Sequence, residues 1–347
     1  MARVANIRGM LLEEAVLHLL RHSGYRAVET AEGDPTLEAG HSGLEVKGRG
    51  TNHQIDAIAD FGVHQPFSNP QRLLVEAKFY APGTKVGLPV VREAVGVLKD
   101  VSEFWVIGDD QVVPKGRYHY QYAVLSATGY TPQAQRYAFV QDVYLIPFAE
   151  SAYFRPIIDA IRGVIAPPQF RGSNPDLPIQ LGVLRGRVRK AIRGEAAEDE
   201  WILEQVPELL GPVRNVVATC QEIRFGLLAV LGGRFPVFLI PDRRLRDAAL
   251  EEEYSVRIFR GDGDETWYLR DSRTDIPLFS FDLPRELFLM YAEHHMLRAD
   301  AALDLKEQQL SEFQAISVQN RTVRLINFRL DREWVGEIRG RLEGPRQ

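Results

Sequence analysis

Cysteine is almost missing: Cys220 is the one example in 347 residues. That rules out an internal disulfide and any zinc site built on cysteines, and it fits a reducing cytoplasm. Cys220 itself reads as a small buried hydrophobe. No apolar run is long enough to span a bilayer. The opening stretch MARVANIRGMLLEEAVLHLL sets Glu13, Glu14 and His18 among its apolar residues, so it reads as an amphipathic helix rather than the core of a signal peptide. The expectation is a cytoplasmic protein that does not engage a membrane. Positive charge is also in short supply, 42 Lys and Arg against 47 Asp and Glu for a formal charge of −5. No whole-protein field attracts nucleic acid, so binding to it would need a local basic surface.

Several familiar sites are missing as well. The eight histidines form no ligand cluster: His53 and His64 read as polar loop or supporting residues, and His294 and His295 are adjacent on an expected helix, where they diverge by about 100°. GRG at 48–50 lacks the spacing and following helix of a nucleotide fingerprint. GDGDE at 261–265 lacks the ligand pattern of an EF-hand loop and fits a hairpin turn.

What is present is enough apolar mass for real cores, 45% hydrophobic with 26% charged residues, in a chain long enough for two domains. Met10, Leu11, Ala15, Leu17, Leu19 and Leu20 recur with helical spacing, predicting a helix from about Ile7 to His22 that Gly24 ends. Four strands are expected at Tyr25 to Thr30, Gly43 to Lys47, Gln54 to Phe61 and Arg72 to Phe79. A helix follows at Val90 to Phe104, then a strand at Tyr120 to Ser126, a helix at Thr131 to Gln141 opened by its threonine cap, and a strand at Val143 to Ile146. Strand, helix and strand in succession imply a parallel crossover.

The segment APPQFRGSNPDLP at 166–178 is rich in turn formers, and a domain boundary is expected there, with 1–165 as the first domain and 166–200 as a linker. The linker carries a basic helix with Arg185, Arg187, Arg189, Lys190 and Arg193, followed by the acidic Glu195, Glu198, Asp199 and Glu200. Two readings stay open: the helix tracks a phosphate backbone, or it is neutralised by nearby acids. Tyr118, His119, Tyr120 and Tyr122 stand beside Lys115 and Arg117, a setting in which bases could stack, but strand packing is the commoner explanation of such a run. Residues 201–347 mix strand-like runs (Pro236 to Ile240, Tyr254 to Phe259, Trp267 to Arg270, Leu278 to Phe281, Arg321 to Phe328) with a helix near Arg285 to Leu297. That pattern predicts an α+β accessory domain.

Chemistry concentrates in HQIDAIADF and VEAKFY. Glu76 and Lys78 stand two apart and so leave a strand from one face. If the neighbouring strand carries Asp56 alongside, two carboxylates and an ammonium converge, and the carbonyl of Ala77 becomes an extra oxygen ligand for a hard cation. Phosphodiester hydrolysis needs such a cation and a group that orients or deprotonates water.

This arrangement resembles the PD-(D/E)XK nuclease superfamily, and within it the Mrr-like restriction endonuclease group. Further stretches carry the resemblance over residues 8–148: Glu14 ten residues ahead of Gly24-Tyr25, the glycine-containing lead-in GRGTNHQIDA, and YAVLSATGYTPQAQRYAFVQDVYLIPF with Ser126, Thr128, Gly129, Tyr130, Thr131 and Ala134 at matching positions. The spacer from Asp56 to Glu76 is longer than in that group. The resemblance implies an α/β restriction-endonuclease-like core, a central mixed sheet flanked by helices. It also implies Asp56 and Glu76 as Mg2+ ligands (Mn2+ as a substitute), Lys78 as the group that positions or activates water, and Glu14 as a supporting helix acid. Glu13 would point about 100° away from Glu14. Gln54, on the strand face of Asp56, would contact a ligand water or a phosphate.

The implied activity is Mg2+-dependent cleavage of DNA in restriction or antiphage defence. Two rivals stay open: a catalytically silent nuclease fold serving as a DNA-binding or scaffold subunit of a larger complex, with an ATPase or translocase as one candidate partner, and a nuclease of DNA repair or recombination. Cutting both strands takes two sites, so a homodimer is one expected partner arrangement.

Overall fold

The structure is a computed structural model that describes residues 2–40, 43–63, 66–104, 118–148, 151–170, 172, 175–195, 206–223, 226–233, 235–245, 248–261, 266–283, 299–319 and 322–343. The chain forms two compact units, Met1–Arg21 with Tyr25–Arg224, and Phe225–Gln347 with His22–Gly24.

The first unit is mixed α/β. After β1 (Ala2–Arg3), helix α1 (Val4–His22) buries Ile7, Leu11, Ala15 and Leu19 at helical spacing, as the sequence pattern predicts. Strands β2 (Tyr25–Val28), β3 (Leu37–Ala39), β4 (Leu44–Lys47), β5 (Asn52–Gln54), β6 (Ala57–Phe61) and β7 (Gln71–Lys78) follow. Then come α2 (Leu88–Ser102), β8 (His119–Ser126), α3 (Pro132–Val140) and β9 (Val143–Pro147). A five-stranded sheet runs in the order β2-β6-β7-β8-β9, and β3-β4-β5 make a separate small sheet. The pairs β2/β6 and β6/β7 are antiparallel, while β7/β8 and β8/β9 are parallel. The two parallel crossovers run through α2 and α3. Leu74, Tyr122, Val124 and Val143 of the sheet share one buried cluster with Val91, Ala94 and Val97 of α2 and Ala134 and Ala138 of α3.

The motif SATGYTP is a structural clasp at the end of β8. Gly129 adopts φ 79°, a left-handed conformation suited to glycine. That turn lets the main chains of Gly129 and Thr131 bracket Val86, and the Thr131 side chain caps α3 by accepting from Ala134 N–H. The Tyr130 hydroxyl is fixed 2.6 Å from the Val124 carbonyl.

The expected boundary at 166 differs from the structure. Helices α4 (Arg155–Arg162), α5 (Leu181–Ile192) and α6 (Leu210–Glu222), with the short β10 (Asp176–Leu177) that pairs with β1, all belong to the first unit. Two physical reasons account for this. Leu184, Val188 and Ile192 form a buried stripe on α5, and its arginines pair with acids of α1 and the loop after β2.

The second unit is a closed barrel. Its strands are β11 (Leu227–Leu231), β12 (Phe235–Pro241), β13 (Glu253–Arg260), β14 (Thr266–Asp271), β15 (Pro277–Asp282), β16 (Glu312–Gln319) and β17 (Thr322–Leu330). They close in the order β11-β12-β15-β14-β13-β17-β16, with β13 and β17 parallel. Trp267, Phe279, Phe281, Phe313 and Phe328 fill the interior, together with Leu303 of α7 (Ala299–Leu310) and Val335 of α8 (Arg332–Glu343). The helix expected near Arg285 to Leu297, His294 and His295 included, lies outside the described residues, as do His64, Lys115, Arg117 and most of GDGDE.

At one end of the β6/β7 pair the ladder is pinned by Arg72, which is 1% exposed. Its Nε and one Nη meet the two oxygens of Asp60 at 2.7 and 3.0 Å, and the Nη groups also donate to Asp34 at 2.7 Å and Thr36 at 2.9 Å. The Tyr118 ring lies 3.5 Å beneath the guanidinium. Every donor of a buried charge that finds an acceptor offsets its desolvation. Removing one partner of such a network leaves uncompensated charges, so Arg72→Ala is expected to lower unfolding free energy by about 3–5 kcal/mol. Arg72→Lys should recover little of it, because an ammonium cannot reproduce the fork. Chemical denaturation midpoints check both.

Candidate active site at the end of the β6/β7 pair

The site forms where β6 and β7 part. Sequence periodicity predicts one strand from Gln54 to Phe61, but the chain breaks at Ile55-Asp56: Asn52–Gln54 belongs to the small sheet and Ala57–Phe61 to the large one. Asp56 stands at that break, one residue before the Ala57–Val75 pairing. Its Oδ2 accepts the Ala77 N–H at 2.9 Å.

Strand alternation then fixes the Ala77 carbonyl. The Lys78 carbonyl accepts from Ala127 N–H on the β8 side. The N–H and C=O of neighbouring Ala77 therefore turn the other way, toward Asp56, because successive residues of a strand direct their main-chain groups to opposite edges. Glu76 and Lys78 share a face as their spacing predicts, and the Lys78 ammonium contacts Glu76 Oε1. The second oxygen, Oε2, accepts from the Tyr122 hydroxyl at 3.3 Å.

The electrostatics are those of a crowded anionic site. Burial first, then the charges of Glu76 and Glu13, push the Asp56 carboxyl up to about 7, against the Ala77 hydrogen bond and Lys78. Burial opposes the charge on Lys78, yet the bond to Glu76 and the fields of Glu76 and Asp56 outweigh it and raise the ammonium's pKa. Lys78 is therefore a protonated donor at neutral pH. Burial, then Glu76 and Asp56, raise the Tyr122 phenol, which stays neutral and donating.

Two sequence-level expectations are corrected. Gln54 does not share a strand face with Asp56; it pairs with Glu45 in the other sheet and its residue is exposed. Glu14 is engaged by a cation of α5 instead, although its charge still helps to raise the Glu13 carboxyl. Arg189 grips both its oxygens at 2.7 Å and its side chain is 1% exposed. The helix acid whose charge reaches Asp56 and Glu76 is Glu13. Burial lifts its carboxyl above the ordinary range while Arg185, 2.5 Å away, pulls it down. The geometric clue was α1 itself: Glu14 lies on its buried stripe, where only a paired acid is tolerated, while Glu13 is half-buried. Tyr122 was also missed, because an aromatic in a strand pattern reads as packing.

Of the basic run, Arg185 pairs with Glu13, Arg189 with Glu14 and Glu29, and Arg193 with Glu29 and Glu195. Three arginines at a spacing of four form one stripe that faces acids of the same unit, while Lys190 is exposed and Arg187 half-buried. His53 has a supporting role: its Nε2 lies 2.8 Å from Asp100, which also accepts the Gly50 N–H at 2.9 Å and closes the GRG turn.

Among the described residues, no three His, Cys, Asp or Glu side chains gather as a ready cage for a metal ion. The donor set at the site is instead two carboxylates and one main-chain oxygen, all hard ligands. Such a set suits Mg2+, which keeps several of its waters, and the raised Asp56 carboxyl marks a place where positive charge is wanting. No described helix is long and apolar enough to cross a membrane.

Comparison with known proteins gives partial likenesses. The chain is similar over 62% of its length to a crystallised protein of unknown function, AF1548, covering 97% of that chain at 16% identity and a TM-score of 0.34. Over 41% of its length it is similar to the MspJI restriction endonuclease in complex with a 27-mer oligonucleotide, covering 25% of that chain at 18% identity and a TM-score of 0.25. No family model matches the chain, and no curated protein does.

Asp56→Asn keeps an acceptor for Ala77 N–H and removes the charge. A carboxyl at about 7 in the folded chain and 3.8 as its ordinary value means that the folded state holds a proton the unfolded state loses. The native state is then favoured by this group below pH 4, and that contribution is lost as pH rises to 7. In a chelator, Asp56→Asn should therefore be more stable than wild type at pH 8, by on the order of 2–4 kcal/mol, with the difference closing toward pH 4. Thermal melts across that range test the sign.

Proposed function

We propose that the chain is a metal-dependent deoxyribonuclease, a Mg2+-dependent DNA endonuclease of the restriction or defence type. The observation that supports it most is the meeting of Asp56, the Ala77 main chain, Glu76 and Lys78 at one strand end. Asp56, Glu76 and the Ala77 carbonyl would hold the ion. When bound, Mg2+ supplies polarisation of the phosphate and acidifies a water.

The chain's own residues do the rest. Lys78, protonated at neutral pH, donates to the attacking water or to a phosphate oxygen and so orients rather than deprotonates. Its contact with Glu76 keeps it within reach. Glu13, held by Arg185, keeps the site anionic from the helix side. The barrel would serve recognition of DNA, a partner or a second subunit, and a homodimer would present one site to each strand.

The test is incubation with plasmid DNA and Mg2+ or Mn2+. Wild type is expected to nick or linearise the plasmid, with Asp56→Ala and Lys78→Ala at least 100-fold slower, in the range that loss of a ligand or an oriented donor costs. Equal cutting by all three would overturn the assignment. Metal-independent DNA binding without cleavage would favour a silent scaffold subunit, and preference for branched over linear DNA would favour repair.

A further inference from the structure

Glu76 is held from two sides by groups of very different freedom. Lys78 reaches Oε1 on a four-carbon stem, and its side chain is 24% exposed. Tyr122 reaches Oε2 from the middle of the five-stranded sheet, 2% exposed. Its strand is hydrogen-bonded on both sides, with Leu74 and Val143 as its register partners. Its ring belongs to the cluster that includes Val91 and Val97 of α2. A tyrosine so placed has two side-chain torsions, both fixed by packing, and its buried hydroxyl needs an acceptor. At 3.3 Å the hydroxyl sits slightly beyond an ideal donor distance, leaving room for the carboxylate to tighten onto it.

We infer that Tyr122 is a positioning residue of this site: its hydroxyl pins Oε2 of Glu76, so that Oε1, which the partly exposed Lys78 holds, would be the oxygen left for a divalent cation. A cation held there would compete with the Lys78 ammonium for Glu76, whereas the Tyr122 phenol would keep its own oxygen. No proton would move and no covalent bond would change in this exchange: the Lys78–Glu76 hydrogen bond would give way to a carboxylate–cation contact, and Lys78 would stay protonated. The inference rests on the nuclease reading of the same three residues. Partners that orient a metal-binding carboxylate typically change metal affinity about 10–100-fold when removed.

The experiment titrates the intact chain with Mn2+ alone, followed by electron paramagnetic resonance, in wild type, Tyr122→Phe, Tyr120→Phe and Asp56→Asn. Phenylalanine keeps the ring and removes only the donor. Tyr122→Phe is expected to raise the Mn2+ Kd about tenfold or more, with Tm within a few degrees of wild type, and Tyr120→Phe to leave the Kd unchanged. Cleavage by Tyr122→Phe should recover toward wild type as Mn2+ is raised to saturation, the mark of an affinity effect. Binding by wild type that Asp56→Asn abolishes but Tyr122→Phe leaves intact overturns this inference alone. An equal loss in Tyr120→Phe also overturns it, since the effect would then be one of strand packing. Failure of wild type to bind Mn2+ overturns it together with the nuclease reading.

Discussion

The crowding of half-buried carboxylates is the constraint around which the first unit's site is arranged. Burial first, and then the charges of Glu76 and Glu13, push the Asp56 carboxyl up to about 7. Such an arrangement costs stability and persists only where the surrounding structure over-determines it. Two cations are set against it, Lys78 on Glu76 and Arg185 on Glu13. The basic helix α5 thereby acquires a definite job, because its stripe of arginines neutralises the acidic face of α1 and the loop acid Glu29, which is why it folds with the first unit instead of serving as a linker.

The geometry that enforces this crowding is built from unrelated devices at a distance from it. Arg72, sealed with Asp60, Asp34, Thr36 and the Tyr118 ring, locks the opposite end of the β6/β7 ladder. At Gly48 a side chain would meet Asp100 Oδ2 at 1.9 Å, so the turn before β5 accepts Asp100 closely and fixes where β5 begins. The Gly129 turn and the Tyr130 hydroxyl tie β8 to β9.

Much of this was legible in the sequence, and the misses have physical reasons. Glu76 and Lys78 were readable because a period of two needs no tertiary information, and the crossovers through α2 and α3 followed from alternation of patterns. The break at Ile55-Asp56 was not, since HQIDAIADF alternates well enough to pass for one strand and only pairing with two different partners divides it. Glu13 and Glu14 are adjacent, and which one meets the site depends on where α5 docks, a contact some 170 residues away in sequence. The sequence pattern reads as a loose α+β mixture because closure of the barrel depends on β11 pairing with β16, a contact between strands at opposite ends of the unit that no local pattern announces.

Charge balance connects the site to the kind of substrate proposed for it. With all three acids ionised, Lys78 and Arg185 leave the set one positive charge short, and burial together with that shortage favours a proton on Asp56. A divalent cation would overcorrect by one charge. A phosphodiester carries a single negative charge, so ion and substrate together restore neutrality, whereas a dianionic phosphate monoester would leave a fresh excess in a region where unbalanced charge is costly. Under the proposed function, the same crowding that burdens the empty site therefore favours binding of metal and diester as a pair, and it makes release of either one weaken the hold on the other.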